Sequence, residues 1–117
     1  EREHGPDHRE VAATLQNLGT ACTVLGDYRR GRDLLERALA INEREYGAGH
    51  RNVSITLSSL GNVCGALGDA GRQRDLLARA LEIQEREFGE RHRVVAATLT
   101  NLGIAFGELG DAARQRL

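Results

Sequence analysis

His8, His50 and His92 stand 42 residues apart, and they are the first residues of this chain to suggest chemistry. A zinc site gathers its ligands at about 2.0–2.1 Å from one ion. Equivalent positions of stacked repeats lie on the order of 10 Å apart, so one His per repeat cannot close such a site. Each His is expected to fix the turn into a helix. Cys22 and Cys64 are also 42 apart, and the next step of 42 reaches Phe106. A position that accepts Phe is a packing position, and its repeats lie beyond the roughly 7 Å that a disulfide can bridge. Buried free thiols are the expectation. Ser54, His50 and Asp69 could be assembled on paper into a nucleophile, base and orienting acid. A His that recurs in every repeat has no unique base to be. The pairs Asp33/Arg37, Asp75/Arg79 and Glu82/Arg86 are spaced i,i+4, worth about 0.2–0.5 kcal/mol each on a solvated helix face. Carboxylates that exchange protons with a substrate need burial and convergence, and nothing here supplies either. No phosphate-binding loop is present, because no Gly-Lys-Ser/Thr follows any glycine. The expectation is a chain that is no enzyme, with no metal and no cofactor.

The elements that would position these residues follow from the period itself. Shifted by 42, residues 5–46 match residues 47–88 at 24 of 42 positions. Gly5, His8 and Arg9 fall on Gly47, His50 and Arg51, and again on Gly89, His92 and Arg93. Leu25-Gly26-Asp27 recurs as Leu67-Gly68-Asp69 and Leu109-Gly110-Asp111. The expected organisation is a single array: 1–4 as the tail of a preceding repeat, repeats at 5–46 and 47–88, and a truncated repeat at 89–117. The chain reads as a cut from a longer array.

Within each unit the period is helical. Val11, Leu15, Leu18, Cys22 and Leu25 form one stripe at i, i+4, i+7, i+11 and i+14. Leu34, Leu35, Ala38, Leu39, Ile41 and Tyr46 form a wider apolar face on the next segment. No run alternates with period two, which excludes a propeller blade. Gly26 reads as a left-handed helix stop and Asp27 as the next N-cap, and so short a connection makes the two helices antiparallel. First helices are expected near 9–25, 51–67 and 93–109. Second helices fall near 28–46 and 70–88, with a stub from 112. Gly19, Gly61 and Gly103 sit inside first helices, where glycine costs about 1 kcal/mol relative to Ala. Close approach of the paired helix is the reason to expect. A chain with 3% aromatic residues packs through Leu and close backbones.

Composition narrows the function classes. The 117 residues carry 16 basic and 17 acidic side chains, net −1, without the basic excess of a nucleic-acid binder. No polybasic run points to a membrane surface, and no apolar stretch is long enough for a span or a signal-peptide core. Two Cys do not build a secreted disulfide scaffold, so a cytoplasmic protein is expected.

The pattern Leu18-Gly19, Cys22, Leu25-Gly26-Asp27-Tyr28, Leu34-Leu35, Ala38-Leu39 resembles the tetratricopeptide repeat. Its 42-residue spacing is similar to the longer variant of kinesin light chains. Gln73 and Gln115 depart from the small residue that the pattern places at Gly31, and Arg9, Arg51 and Arg93 stand where Pro is common. The resemblance implies an all-α fold, a right-handed α-solenoid of antiparallel helix hairpins with first helices lining a concave groove. It implies a protein-interaction scaffold that holds a peptide or a partner helix. A regulatory arm of a larger multidomain protein and a structural self-assembling array are the alternatives. The groove candidates are Gln16, Asn17, Thr20 and Thr23, then Ser58, Ser59 and Asn62, then Thr100, Asn101, Ile104 and Glu108. Their amides and hydroxyls can bond a peptide backbone, and in the resembling family a first-helix Asn does so, matched here by Asn17 and Asn101. No Lys or Arg stands among them, so salt should matter little. The third first helix lacks most of its partner helix, which makes end-to-end self-association a further expectation.

Overall fold

The computed structural model describes residues 8–115, with side chains as far as Gly110, so the expected repeat tail at 1–4 lies outside the described residues. Five helices follow one another: α1 (His8–Val24), α2 (Tyr28–Tyr46), α3 (Arg51–Ala66), α4 (Ala70–Phe88) and α5 (Arg93–Gln115). No strand occurs among the described residues.

Each hairpin turn is made by the residues that predicted it. Gly26 and Gly68 both take φ 88°, and the next amide reaches back five residues, from Asp27 to Cys22 and from Asp69 to Cys64. Such a turn satisfies carbonyls that the helix end would otherwise orphan. Asp69 caps α4, accepting from the Arg72 amide at 3.1 Å. Asp27 has nearly the same backbone angles but its side chain makes no cap bond, contrary to expectation.

Gly19 confirms the close-approach argument. A Cβ there would lie 2.8 Å from Leu35 Cγ and 3.1 Å from the Gly31 carbonyl. Gly31 itself faces Thr23, whose Oγ1 would stand 2.6 Å from an added Cβ. One repeat later the sizes are exchanged: Gln73 lies over Gly65. The bulk at Gln73 is therefore accommodated by removing the side chain opposite.

The predicted stripe is buried most deeply where a helix stands on both sides. α3 packs against α2 and α4, and Val53, Leu57, Leu60 and Cys64 are at most 2% exposed. The same stripe in α1, which packs mainly on α2, leaves Leu18 at 44% and Leu25 at 84% exposed. In α5, which packs mainly on α4, Leu99 and Phe106 are half exposed.

Two further expectations are corrected. α5 does not stop at Leu109-Gly110-Asp111 but runs to Gln115, and Gly110 does not take the positive φ of Gly26 and Gly68. The outer-face charges also pair differently. Arg79 reaches Glu43 on α2 at 2.8 Å, and Asp75 pairs with its neighbour Arg74. Asp33 takes Arg32, and Arg72 crosses from α4 to Glu36 at 2.6 Å. The Arg79–Glu43 and Arg72–Glu36 bridges link repeats, while the other two join neighbours on one helix.

Candidate functional site

The inter-repeat loops show what the histidines do. Gly47 turns at φ 93° and Gly89 at φ 88°, ending α2 and α4. His50 Nδ1 then accepts from the Asn52 amide at 3.0 Å, and His92 Nδ1 from the Val94 amide at 3.1 Å. Each imidazole stacks on the preceding aromatic, Tyr46 at 4.7 Å and Phe88 at 5.0 Å between ring centroids. The ring fixes the start of the next first helix by two contacts at once. Ser54 Oγ donates to the Arg51 carbonyl, and Asp69 caps α4 beyond the opposite end of α3, a helix about 24 Å long for its sixteen residues. The paper trio of Ser54, His50 and Asp69 is not assembled.

Cys64 is 2% exposed, whereas Cys22 is half-buried. Burial pushes the Cys64 thiol above its ordinary range, and the Arg72 guanidinium beside it acts in the other direction. An inert packing thiol is the result.

Successive first helices enclose two clefts. The first, about 150 Å³, lies between α1 and α3 and is lined by Ala13, Gln16, Asn17, Asn52 and Ile55. Arg9, Asn42 and Tyr46 close its side. The second, about 320 Å³, lies between α3 and α5. Ile55, Ser58, Ser59 and Asn62 form one wall and Val94, Ala97 and Asn101 the other. Ile55 is shared by both.

Polar relays lie under both clefts. Asn42 Nδ2 donates to Thr56 Oγ1 at 3.0 Å, and that hydroxyl donates to Gln16 Oε1. In the next repeat Thr98 Oγ1 donates to Gln84 Oε1 at 2.6 Å, and Gln84 Nε2 donates to Ser58 Oγ at 3.1 Å. Asn42, Thr56 and Gln16 become Gln84, Thr98 and Ser58 under the 42-residue shift. The amide is short in one relay and long in the other, and the partner compensates. Each relay ties a second helix to the following and the preceding first helix.

The predicted groove residues thus divide. Asn17, Ser59, Asn62 and Asn101 line the clefts, and Gln16 and Ser58 line them while held by the relays. Thr23 faces the hairpin crossing, its hydroxyl donating to the Gly19 carbonyl at 2.9 Å. Thr20, Thr100, Ile104 and Glu108 are exposed but line neither cleft. Thr100 Oγ1 bonds its own helix at Ala96. The sequence reading missed Ala13, Ile55 and Ala97, one position in three repeats, because an Ala or a lone Ile on a helix carries no functional signal. It also placed no basic residue on this face, and Arg9 lies there, its guanidinium 4.6 Å from the centroid of the Tyr46 ring.

Antiparallel hairpins whose first helices share one face, and whose contacts recur every 42 residues, make an α-solenoid. Two models described as the tetratricopeptide repeat match the sequence, over residues 17–72 and 53–93. The chain belongs to the tetratricopeptide-repeat family. Its fold is similar to that of BtubC (BKLC) from P. vanneervenii, with TM-score 0.83 and 22% identity over 95% of this chain. The match spans 44% of that protein. No curated protein matches by sequence. Tetratricopeptide-repeat domains are in general protein–protein interaction modules. No described helix is long and apolar enough to cross a membrane.

Proposed function

We propose that this chain is a scaffold that holds an extended peptide segment of a partner protein across α1, α3 and α5. The observation that carries the reading is the pair of clefts at repeat-equivalent places, sharing Ile55 and rimmed by amides. An extended backbone exposes a donor and an acceptor at each residue, and Asn17, Asn62 and Asn101 offer both. Arg9 is engaged by the Tyr46 ring and by the Glu45 carbonyl, so the groove reads backbone more than charge. Affinity should fall less than tenfold between about 50 and 200 mM salt.

The test is selection of displayed random twelve-residue peptides on the chain, followed by titration of the enriched peptides. Asn17→Ala and Asn101→Ala should each weaken binding by about 0.5–1.5 kcal/mol with helicity unchanged. Ile55→Arg should remove it. Enriched peptides that bind Ile55→Arg as well as the parent chain would place the site elsewhere and end this reading.

A further inference from the structure

The two clefts differ in a consistent direction. One repeat along, Gln16 becomes Ser58, Ala13 becomes Ile55 and Asn52 becomes Val94. Each exchange removes polar reach or adds apolar wall. The first cleft is the smaller and is lined mainly by amides, with Gln16 projecting from the relay. The second has twice the volume, with Ile55, Val94 and Ala97 as its wall and Ser59, Asn62 and Asn101 as its rim. Ile55 is 47% exposed at this wall. The first cleft suits a hydrogen-bonding side chain. The second suits a branched aliphatic one, which gains from apolar burial while the rim holds the backbone beside it.

We infer that the second cleft is a specificity pocket for a Leu, Ile or Val side chain of the bound segment, with a polar side chain of the same segment in the first. This rests on the peptide-binding reading above. A repeat step on the order of 10 Å, divided by about 3.3 Å per extended residue, puts the two side chains about three residues apart. The residues that set the difference are Ser58 and Val94, with Gln84 keeping the relay closed when Ser58 is short.

The relay gives a test that leaves folding intact. Ser58→Gln with Gln84→Asn copies the first relay into the second cleft, and Val94→Asn completes the exchange. Thermal unfolding followed by circular dichroism checks that the triple variant is as stable as the parent. Both proteins are then used to select displayed twelve-residue peptides. Peptides enriched on the parent should share one aliphatic position, with Leu preferred over Ala by about tenfold in titrations. A polar position should stand about three residues away. The triple variant should enrich peptides without the aliphatic preference. An unchanged aliphatic preference on a stable variant would overturn the pocket assignment and leave the groove reading standing. An absence of any enriched peptide on the parent would remove both. If the triple variant is destabilised, Val94→Asn alone carries the comparison, and an unchanged preference there also overturns the assignment.

Discussion

One repeat position should give three different answers to the same substitution. Gly19, Gly61 and Gly103 are equivalent in sequence, and replacing any of them with Ala favours the helix by about 1 kcal/mol. The surroundings oppose that gain unequally. At Gly19 the new methyl would lie 2.8 Å from Leu35 Cγ, the branch point of a side chain 1% exposed, and 3.1 Å from a backbone carbonyl. Neither can step aside, and overpacking of this kind costs about 1–3 kcal/mol. Gly19→Ala should therefore destabilise by up to about 2 kcal/mol net. At Gly61 the nearest atoms are Leu77 Cγ and Cδ2 at 3.1 and 3.2 Å, with the Gln73 carbonyl at 3.5 Å. A shift of a few tenths of an ångström suffices, and Gly61→Ala should fall between about 0 and 1 kcal/mol of loss. At Gly103 no atom of the described residues lies within 4 Å, so Gly103→Ala should stabilise by up to about 1 kcal/mol. Urea unfolding of the three variants beside the parent reads the order from the midpoints, provided the slopes agree. Hydrogen exchange on α5 checks that the Gly103 effect is local to that helix. Equal losses at all three sites, or a loss at Gly103 as large as at Gly19, would refute the claim that close approach explains these glycines.

Cys22 should react with a thiol reagent in the folded chain well before Cys64, which should wait for unfolding; comparable native rates would contradict the burial of Cys64. Because burial holds the Cys64 pKa above its ordinary value, the unfolded chain ionises this thiol first. Its contribution is fully present below the ordinary thiol range and is lost as pH rises through it, so Cys64→Ala should flatten the alkaline fall in stability measured by urea titration. His50→Ala should cost about 0.5–2 kcal/mol through the lost cap, and His50→Asn should recover part of it in thermal melts. The half-exposed Leu99 and Phe106 should drive concentration-dependent association in sedimentation, reversed by Phe106→Asp. A strict monomer in which 93–109 is as protected from exchange as 51–66 would count against it.

The hairpins and the period were legible because a few residues carry them. Gly26 and Gly68 stop helices by taking φ 88°, and the caps at His50 and Asp69 follow from side chains that accept an amide. The fate of each stripe was not legible, because it depends on whether a helix stands on both sides. Leu18 and Leu60 are the same residue in the same repeat position, one 44% exposed and the other 0%. The turn after Leu109 shows the same limit. Gly110-Asp111 has the signature of Gly26-Asp27, yet the helix continues through it.

The clefts were only half legible for a related reason. Hydroxyls and amides on a first helix look alike in sequence whether they face a ligand, a relay or a neighbouring helix. Thr23 and Gln16 were equal candidates, and one packs against Gly31 while the other closes a relay with Thr56. What separates them is compensation between positions within the chain. Thr23 with Gly31 becomes Gly65 with Gln73, and Gln16 with Asn42 becomes Ser58 with Gln84. In each pair one side chain shortens as its partner lengthens; Gln84 meets Ser58 directly, and Asn42 meets Gln16 through the Thr56 hydroxyl. Asn17, Ser59 and Asn101 show no such partner, and they line the open clefts. The exchange at the crossing has a cost as well: Gln73 Oε1 is buried without a hydrogen-bond partner, whereas the Thr23 hydroxyl in the first hairpin bonds its own helix. The first hairpin's solution satisfies every polar group at that contact and the second's does not. Repeats of one ancestry thus reach the same crossing by side chains of different quality, and the compensating pairs mark which contacts the array holds fixed.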